Sequence, residues 1–528
     1  MVDVRYETAF TLYPYQRSED QDVDAPVRHP VVIVGGGPVG LAMALDLGQK
    51  DVPCVVLDDH DGVGVGSRAI CFAKRTLEIC DRLGAGDPMV DLGVVWNVGK
   101  VSREDRQIYD FNLLPEEGHK RPAFINLQQP YFEKFLVERI RVAQAEGAPI
   151  EIRGKNAVLS VESHADHVIL EVGSPDGPYK IESNYLIACD GARSPVRGML
   201  GHDFTGRTFE DNFLICDVKM EAELPTERWF WFDPPFNPGQ SVLLHKQPDD
   251  IWRIDFQLGW DIDREAVVQP EYYMPKVQAM LGEGVEFEPE WVSVYTFQCM
   301  SMDQYRYGPV FFAGDSAHQV SPFGARGCNG GMQDVDNLAW KLAAVYHGEA
   351  DARLLDTYNE ERKHGADENI LNSSRTTDFM TPKTTIAKLF RESVLDLVEH
   401  TNAMRPLVNS GRLSLPCVYD GSSLNGPDDN RMPVRTRVGS TLVDAPVNGG
   451  WLTDQVGNYF IVLAVNCEIQ IEGLPVLRLD ADPMVTERYL GDLLQAVYLI
   501  RPDQIIAARW EIASAADVIS ALQVAKGG

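Results

Sequence analysis

A glycine-rich turn follows the first strongly apolar run of the chain. The run VVIV at 31–34 precedes Gly35, Gly37 and Gly40, which have the spacing G-x-G-x-x-G, and the apolar segment LAMAL comes next. Glycines at these positions allow a tight turn, close approach of the backbone to a pyrophosphate, and close packing of a helix on the strand. Asp58 ends the next apolar run, where a carboxylate can accept hydrogen bonds from a ribose. The pattern predicts the adenosine half of a dinucleotide site.

Two later segments carry acidic groups at the ends of apolar runs. YLIACDGARSPVR places Asp190 and Gly191 after one run, and VFFAGDSAHQ places Gly314 and Asp315 after another. A glycine-rich stretch, Gly324–Gly331, then opens a helical pattern. Asp315 can bind ribityl hydroxyls, and amides at a helix N-terminus can hydrogen-bond a flavin ring and stabilise its charge on reduction. The three motifs together favour FAD over NAD as the bound dinucleotide.

The order and spacing of these motifs resemble those of the class A flavoprotein aromatic hydroxylases, the family with the para-hydroxybenzoate hydroxylase fold. The resemblance covers about residues 30–375 and includes RTLEICDRLG after Arg68 and QPYFEKFL after Gln128. It implies that Arg68 and Gln129 contact the ribityl–pyrophosphate region and that Pro322 to Asn329 contact the isoalloxazine, although PFGARGCN departs from the family's PxGGQGxN. The residues assigned to FAD in this way are Gly35, Gly37, Pro38, Val39, Gly40, Asp58, Asp59, Arg68, Gln129, Asp190, Gly191, Gly314, Asp315, Pro322, Gly327, Cys328 and Asn329.

The resemblance also implies a reaction. Such a protein is expected to hydroxylate a phenolic ring, here ortho to the hydroxyl, through a C4a-hydroperoxide of the flavin. O2 and NADH or NADPH would be the co-substrates. NAD(P)H would bind transiently, because the chain has one strand-led glycine fingerprint and FAD occupies it. Two alternatives stay open: Baeyer–Villiger oxidation or epoxidation of a polyketide-like or other non-phenolic substrate, and a non-catalytic FAD-binding interaction protein.

Two residues are candidates for activating a phenol. A phenolate is more electron-rich than a phenol, whose ordinary pKa near 10 keeps it protonated at neutral pH, so a base or cation near the ring should assist. His245 and Arg253 lie in a strand-rich stretch where alternation can point both side chains towards a flavin. The candidates for contact with the substrate ring are Trp229, Trp231 and Pro322.

Two other chemistries have partial signals in the sequence. Ser316 and His318 suggest a hydrolase, but no G-x-S-x-G turn surrounds the serine. WFWFDP at 229–234 is similar to the WxWxIP segment of flavin-dependent halogenases, whose lysine could be Lys74, but Asp233 replaces the isoleucine. Hydroxylation is the favoured interpretation.

The elements that must position these residues predict an α/β fold of several domains. A Rossmann-like FAD-binding domain is interrupted by an antiparallel-sheet substrate domain. The final part, notably VYLIRPDQIIAARW, resembles the thioredoxin-like tail of the phenol hydroxylase and hydroxyphenylpropionate hydroxylase branches, and it contains no CxxC. This tail is expected to be dispensable for chemistry and to matter for stability or assembly. The predicted boundaries are an N-terminal arm at 1–28, FAD-binding segments at 29–105, 122–200 and 298–375, substrate-domain segments at 106–121 and 201–297, a helical linker region at 376–430 and the thioredoxin-like domain at 431–528.

The charge balance narrows the range of partners. The 528 residues include 48 basic and 78 acidic side chains, a net charge of -30, so nucleic acid and an anionic membrane surface should be repelled. The N-terminus lacks a signal-peptide pattern, which predicts a cytoplasmic protein. The nine cysteines are scattered singly, so no metal site is predicted. The predicted partners are a small aromatic substrate and a second copy of the chain in a homodimer.

Overall fold

The computed structural model of the protein describes residues 12–63, 69–222, 224–321, 324–408 and 415–528. The predicted FAD contact Arg68 and the predicted FAD and substrate contact Pro322 lie outside these ranges. In the described part of the N-terminal arm, Leu12 and Tyr13 are buried. The Tyr13 hydroxyl lies 3.2 Å from the carbonyl oxygen of Gly36 and 3.0 Å from that of Gly62. The arm therefore packs against the glycine turn.

Strands and helices follow one another along the chain in three groups. The first group comprises β1 (Val27–Val34), α1 (Pro38–Gln49), β2 (Cys54–Leu57), β3 (Cys71–Ala73), α2 (Lys74–Arg82), α3 (Gly86–Leu92), β4 (Val94–Trp96), β5 (Val98–Arg103), β6 (Arg106–Asn112), β7 (Phe124–Asn126), α4 (Gln129–Ala145), β8 (Ile150–Arg153), β9 (Ala157–Ser163), β10 (Val168–Ser174), β11 (Gly177–Ala188) and α5 (Pro195–Met199). The second comprises β12 (Thr205–Lys219), β13 (Arg228–Phe232), β14 (Ser241–Lys246), β15 (Ile251–Gln257), α6 (Pro270–Leu281), β16 (Glu288–Ser301), β17 (Arg306–Tyr307), β18 (Val310–Phe312), β19 (His318–Gln319), α7 (Gly327–Tyr346), α8 (Asp356–Met380) and α9 (Thr385–His400). The third comprises β20 (Pro446–Val447), β21 (Gly450–Trp451), α10 (Leu452–Val456), β22 (Ile461–Val465), β23 (Val476–Leu479), α11 (Pro483–Val485), β24 (Ala496–Ile500), β25 (Ile506–Trp510) and α12 (Ala515–Ala525).

The first sheet is the Rossmann-like part of the fold. Its strands run in the order β17–β18–β11–β1–β2–β8, and β18, β11, β1, β2 and β8 are parallel. β10 and β9 extend it from β11 as antiparallel strands. Residues 31–34 of β1 are all buried, because helices α1 and α7 pack together beside the strand. Burial on both faces explains why this strand is a continuous apolar run rather than an alternating one.

The second sheet carries the predicted substrate domain. Its order is β19–β16–β12–β15–β14–β13–β5–β6, and its pairs are antiparallel except for β13 with β5. β5 is residues 98–103, so the predicted boundary at 105 falls too late. The reason is that β5 and β6 form one hairpin, with Glu104 at positive φ in its turn. β16 likewise extends this sheet to Ser301, beyond the predicted end at 297.

A small third sheet has the strand order β3–β7–β4. Along the chain, β3 and β4 come between β2 of the first sheet and β5 of the second. The Trp96 ring in β4 stacks on Phe124 in β7, with ring centroids 4.8 Å apart. β4 ends at Trp96 and β5 begins at Val98, so the chain passes from this sheet into the substrate sheet within two residues. The small sheet therefore couples the two domains.

The terminal part forms a four-stranded sheet in the order β23–β22–β24–β25. β22 and β23 are parallel, and the other two pairs are antiparallel. The thioredoxin-like assignment stays a prediction, with which this strand order agrees. Among the described residues, no helix is long and apolar enough to cross a membrane.

Candidate functional site

The glycine turn between β1 and α1 has one crowded side and one open side. Gly35 has φ 108°, and a side chain there would approach the carbonyl oxygen of Cys189 to 2.5 Å. A Cβ at Gly40 would lie 1.9 Å from the carbonyl oxygen of Gly35. At Gly37, by contrast, no atom of the described residues lies within 4 Å of the position of a Cβ. The N-terminus of α1 thus has an open cradle in front of Gly37, as a pyrophosphate requires.

Asp58 lies at the end of β2 beside this turn. Its carboxylate accepts hydrogen bonds from the amides of Gly36 and, at 2.7 Å, of His60. Burial raises the pKa of Asp58, and these two amides oppose the rise. Asp59 points outward, with 66% of its side chain exposed, and its carboxylate lies 2.5 Å from Nδ1 of His60. Asp58 is therefore held in the position predicted for a ribose contact, whereas Asp59 is a surface residue.

The Asp190–Gly191 motif follows the end of β11. One carboxylate oxygen of Asp190 accepts a hydrogen bond from the amide of Val196 at 3.0 Å, at the start of α5. The other oxygen is buried without a hydrogen-bond partner among the described residues. Burial raises the pKa of Asp190. A buried acceptor without a donor, next to the Gly35 turn, suits a ligand that brings hydroxyl groups.

The third motif brings a second helix N-terminus to the first. Val39 in α1 lies against Gly314 and Gly331, where an added Cβ would meet the Val39 side chain at 3.0 and 2.6 Å. Asp315 is exposed at the end of the strand that precedes this contact, and its Oδ1 is 3.7 Å from the Cβ position of Gly327. The N-termini of α1 and α7 therefore converge beside an exposed carboxylate. Both termini favour a negatively charged ligand.

Asn329 in the first turn of α7 has a structural role that the sequence did not reveal. Its Oδ1 accepts hydrogen bonds from the Ala73 amide at 2.9 Å and from the Thr76 hydroxyl at 2.6 Å. Its Nδ2 donates to the carbonyl oxygens of Cys71, at 2.9 Å, and of Ala325. The amide side chain thus fixes β3 and α2 to α7. A contact of Asn329 with a flavin ring stays a prediction. Because these bonds occupy the side-chain amide, the backbone of Asn329 would have to make that contact.

Two other predicted FAD contacts have defined environments. The Gln129 carbonyl oxygen accepts a hydrogen bond from the Ala69 amide at 3.2 Å, and its amide nitrogen donates to Glu133 at 2.7 Å. Cys328 follows Gly327 in α7, and burial raises the pKa of its thiol. The open cradle at Gly37, the orphan oxygen of Asp190 and the two converging helices together fit FAD. The individual contacts stay predictions.

A row of polar side chains crosses the substrate sheet on one face. His245 in β14 pairs with Arg253 in β15, and Arg253 pairs with Asp217 in β12. Trp229 in β13 pairs with Leu244, which places Arg228 next to His245 on the neighbouring strand. Residues directly opposite in antiparallel strands share a face. Arg228, His245, Arg253 and Asp217 therefore lie side by side, and the last three are buried while Arg228 is partly exposed.

His245 is the titratable group at the centre of this row. It is 3% exposed, its Nδ1 lies 3.9 Å from Sγ of Cys71, and its Nε2 lies 3.9 Å from the Asp255 carboxylate. Burial lowers the pKa of His245 well below its usual value, and Arg228 and Arg253 lower it further. The imidazole is therefore neutral at neutral pH. Cys71 belongs to β3, the strand that Asn329 ties to α7, so His245 faces the predicted flavin side of the molecule.

Arg253, the second predicted catalytic residue, is paired. Its Nε and a terminal nitrogen donate to the two oxygens of Asp217 at 2.8 and 2.9 Å. Both side chains are almost completely buried. A guanidinium held by a carboxylate in this way cannot accept a proton from a phenol. Its effect on the site is electrostatic, since its charge helps to keep His245 neutral.

The model of the family described as "FAD binding domain" matches residues 28–373. The chain belongs to this FAD-binding family. The match covers the glycine turn, the Asp190 motif, the Asp315 motif and the inserted substrate sheet.

Three relatives indicate the range of proteins that this chain resembles. The chain is 32% identical over 340 residues to a probable NADH-specific resorcinol 4-hydroxylase of Rhodococcus jostii (strain RHA1), covering 63% of this chain and 62% of that protein. It is 27% identical over 458 residues to the 3-(3-hydroxy-phenyl)propionate/3-hydroxycinnamic acid hydroxylase of Burkholderia cenocepacia (strain HI2424), covering 84% and 80%. It is 33% identical over 355 residues to the 12-dehydrotetracycline 5-monooxygenase/anhydrotetracycline 6-monooxygenase of Streptomyces rimosus subsp. rimosus, covering 64% and 67%.

A solved structure supports the fold over nearly the whole chain. The flavin-dependent monooxygenase PieE, in complex with FAD and substrate, superposes with a TM-score of 0.77 at 22% identity. The superposition covers 95% of this chain and 99% of PieE. This flavoprotein therefore has the multidomain fold of a flavin-dependent monooxygenase.

Trp229 and Trp231 do not lie with His245. They alternate with Phe230 along β13, and both pack into the apolar cluster with Trp252 on the opposite face of the sheet. The indole nitrogen of Trp229 donates to Glu227 at 2.8 Å. The structure therefore does not bring these two tryptophans together with His245, and their contact with a substrate ring stays a prediction. Alternation put the aromatic residues and the polar row on different faces.

The structure also corrects the hydrolase and halogenase signals. The Ser316 hydroxyl donates to backbone carbonyl oxygens, at 2.6 Å to that of Ala188, while His318 pairs with Asp334 at 2.7 Å. No Ser–His pair forms between these described residues. Lys74 forms an ion pair with Glu78. Its charge is therefore already partnered within α2.

Two groups of side chains could hold a metal ion by their types and proximity. They are Asp58, Asp59 and His60 beside the glycine turn, and His364, Glu368 and Cys417 between α8 and the following segment. The prediction that the flavoprotein has no metal site stays a prediction.

Sequence reasoning missed two residues of the polar face. Asp255 lies opposite Leu243, and one of its carboxylate oxygens is buried without a hydrogen-bond partner among the described residues. Burial raises the pKa of Asp255 to about 6. Arg228 lies at the start of β13. A turn that contains Pro248 joins β14 to β15. Counting residues outward from this turn pairs residue 245 with 253 and residue 243 with 255, so the hairpin sequence already indicated that Asp255 shares a face with His245.

Proposed function

We propose that this flavoprotein is an FAD-dependent monooxygenase that hydroxylates a phenolic ring ortho to its hydroxyl. The overall reaction consumes O2 and NADH or NADPH with one proton. It converts a ring C–H into C–OH and releases water and NAD(P)+. The names of the resorcinol and hydroxyphenylpropionate hydroxylase relatives support a phenolic substrate. FAD would supply the redox chemistry that activates oxygen.

The observation that carries the proposal is the buried, neutral His245 beside Cys71 of β3, the strand that Asn329 ties to α7. In this proposal the phenolic hydroxyl reaches Nδ1 of His245, the ring nitrogen that lies 3.9 Å from Sγ of Cys71. His245 accepts the phenolic proton there, which makes the ring more electron-rich. The imidazolium that results has Nε2 directed at Asp255, whose negative charge stabilises it.

The remaining charged groups hold this arrangement in place. Arg253 is fixed by Asp217 and keeps the resting imidazole neutral. Asn126 donates to the carbonyl oxygen of Lys246 at 2.8 Å and accepts a hydrogen bond from Trp96. These bonds tie β7 to the end of β14. The base is therefore positioned by both domains rather than by a loop.

The test uses the purified protein loaded with FAD. A panel of phenols is screened for those that accelerate NADH or NADPH oxidation, and the products are analysed after reaction in 18O2. We expect a catechol-type product with one 18O atom. A protein that binds FAD but incorporates no labelled oxygen into any phenol would contradict the proposal.

A larger polycyclic phenol is a second candidate substrate. The tetracycline monooxygenase relative, at 33% identity, favours it. Aromatic polyketides belong in the same screen, because the structure of the 18O-labelled product distinguishes ring hydroxylation from insertion into a C–C bond. An ester or lactone product would assign the chemistry to the Baeyer–Villiger class instead.

A further inference from the structure

Arg488 of the terminal domain is a buried arginine that binds backbone carbonyls. It is 2% exposed, and its guanidinium donates to the carbonyl oxygens of Gly118 at 2.8 Å, of Glu117 at 2.5 Å and of Asp444. Its Nε is buried without a hydrogen-bond partner, and among the described residues no carboxylate forms an ion pair with it. Burial of a charge without a counter-ion is costly. The segment that Arg488 holds is therefore a better explanation for its presence than a gain in stability.

The carbonyls at 117 and 118 belong to the β6–β7 loop, residues 113–123, which runs from the substrate sheet to the small sheet. The terminal domain contacts this loop at two further points. Asp444 is buried, and its carboxylate accepts a hydrogen bond from the Lys120 amide at 2.8 Å. Gly118 has φ 74°, and a side chain there would collide with Sδ of Met484. The shape and the hydrogen bonds of the β6–β7 loop thus match the terminal domain.

The other end of the β6–β7 loop lies beside the candidate base. Leu114 is partly buried and packs on the apolar cluster that contains Cys71, whose Sγ lies 3.9 Å from Nδ1 of His245. Ala325 packs on the same cluster, and it belongs to the stretch 322–329 that is predicted to contact the isoalloxazine. One loop therefore connects a buried contact of the terminal domain with residues next to the base and to the predicted flavin contacts.

We propose that Arg488 is a positioning residue of the flavin site: by holding the β6–β7 loop, it keeps Leu114 packed beside Cys71 and thereby limits the entry of water to the flavin. A site that excludes water suppresses side reactions. Here the side reaction is the conversion of NAD(P)H, O2 and one proton into NAD(P)+ and H2O2, without oxygen transfer to a substrate. The effect on this side reaction rests on the proposed function, whereas the effect on water access does not. The inference opposes the prediction that the terminal domain is dispensable for chemistry.

The test uses the full-length, FAD-loaded protein and three variants. Arg488→Met removes the donors, and Arg488→Lys keeps one charged donor on a similar stem. Arg431→Met is the control, because Arg431 is a mostly exposed arginine of the same domain that pairs with Asp429 at 2.6 Å. FAD content and circular dichroism verify that each variant is folded.

Two measurements need no substrate. Hydrogen exchange detected by mass spectrometry reports on the peptide that covers residues 113–123. Quenching of the flavin fluorescence by acrylamide, a neutral molecule, reports on solvent access to the flavin. We expect Arg488→Met to speed the exchange of the loop about tenfold, as loss of a charge-assisted hydrogen bond gives, and to raise the quenching constant. Arg488→Lys should lie between this variant and the wild type, and Arg431→Met should match the wild type.

A third measurement uses a phenol that the 18O2 screen identifies. The ratio of labelled product to NAD(P)H oxidised should fall in Arg488→Met, with H2O2 accounting for the difference, and should recover in part in Arg488→Lys. A role in stability alone would not change this ratio at a temperature where the variant stays folded.

The inference is overturned if the loop exchanges as in the wild type, or if the quenching constant or, in an active enzyme, the product ratio does not change. If Arg488→Met does not fold, Arg488→Lys decides by the same criteria. Failure of the proposed function has a separate signature. Faster exchange and stronger quenching in Arg488→Met, without labelled product from any phenol in the wild type, would contradict the proposed reaction alone.

Discussion

At the scale of single residues, His245 and Asp255 form a proton-accepting pair whose members depend on each other. Neither side chain has a hydrogen bond to the other, since 3.9 Å separates Nε2 of His245 from the carboxylate. Their coupling is electrostatic. Burial keeps His245 uncharged and makes Asp255 a weak acid. The lowered pKa makes His245 harder to protonate than a surface histidine, whereas the raised pKa makes Asp255 easier to protonate than a surface aspartate.

His245→Gln should lower kcat/KM for weakly acidic phenols by about 100-fold, because it removes the general base. The loss should be smaller for 4-nitrophenol, which is already largely ionised in solution. FAD content should not change. His347→Gln is the control, since His347 is exposed and its ring nitrogen contacts the carbonyl oxygen of Lys50. An equal loss for all phenols, whatever their acidity, would show that His245 is not the base.

The raised pKa of Asp255 predicts how kcat/KM falls on the acidic side of its pH profile. Its carboxyl has a pKa raised to about 6 by burial, so kcat/KM should fall as the pH decreases through about 6, where protonated Asp255 no longer stabilises the imidazolium. Asp255→Asn should lower the rate at pH 8 and remove this limb from the profile. A limb that persists unchanged in the variant would have to come from another group.

Although Asp255→Asn should lower the rate at pH 8, it should raise the free energy of unfolding at that pH. A carboxyl whose pKa is raised in the folded state binds protons more tightly there, so its ionisation destabilises the fold as the pH rises. A rise from 3.8 to about 6 corresponds to about 3 kcal/mol at most. Urea unfolding of Asp255→Asn should therefore show a gain at pH 8 that largely disappears at pH 4. Lower stability of the variant at pH 8 would contradict the raised pKa.

At the scale of elements, two glycines of the turn between β1 and α1 should have different roles. Gly37 should matter for FAD binding, and Gly40 should matter for the stability of the fold. Gly37→Ala places a methyl group in open space at an ordinary φ of -80°, so the apoprotein should fold normally. That methyl group would occupy the predicted pyrophosphate cradle, and FAD affinity should fall at least tenfold. Gly40→Ala is the matched variant. It collides with the Gly35 carbonyl oxygen and should destabilise the protein itself.

Isothermal titration with FAD and urea unfolding of the apoproteins separate the two effects. We expect Gly37→Ala to lower only the affinity for FAD. Gly40→Ala should lower both the affinity for FAD and the free energy of unfolding. Normal FAD binding by a stable Gly37→Ala protein would mean that the cofactor phosphates lie elsewhere.

Short-range patterns explain how much of this architecture the sequence could predict. The glycine spacing near Gly35 is a local rule, because tight turns and helix starts depend on neighbouring residues. The face of β13 was not predictable in this way. Alternation showed that Trp229 and Arg228 point in opposite directions, but which direction leads to the flavin depends on contacts with β3, far away in the chain. Asn329 was missed as a tie between elements for the same reason.

At the scale of the whole molecule, the terminal domain is joined to the FAD domain by buried charges. Arg501 pairs with Glu361 of α8, with one nitrogen–oxygen distance of 3.0 Å, and Lys341 of α7 pairs with the same carboxylate at 2.8 Å. All three side chains are inaccessible to solvent. Arg501 and Lys341 hold the pKa of Glu361 below its usual value although burial opposes them. The carboxylate therefore stays charged and needs both partners.

A second contact reaches the helices that position Asn329. Arg75 of α2 pairs with Asp336 of α7 at 2.8 Å and also donates to the carbonyl oxygen of Asp503. Arg82 of α2 donates to the side chain of Gln504 at 2.8 Å. The loop after β24 is thus bonded to α2, and the indole nitrogen of Trp340 in α7 donates to the Asp503 carboxylate at 3.2 Å. This gives a physical reason for the prediction that the terminal domain matters for stability, while its dispensability for chemistry stays a prediction.

Arg501→Met in the full-length protein should test this coupling. Removing one partner of a buried ion pair leaves Glu361 partly uncompensated, which costs about 3–5 kcal/mol in the free energy of unfolding. α7 would lose part of its support, so FAD should dissociate at a lower urea concentration than in the wild type.

Arg478→Met is the control, because Arg478 is half-exposed in the same domain and pairs with Glu468 at 3.2 Å. Its loss should cost no more than about 1 kcal/mol. If Arg501→Met unfolds and releases FAD at the same urea concentrations as Arg478→Met, the terminal domain does not support the flavin site through this network.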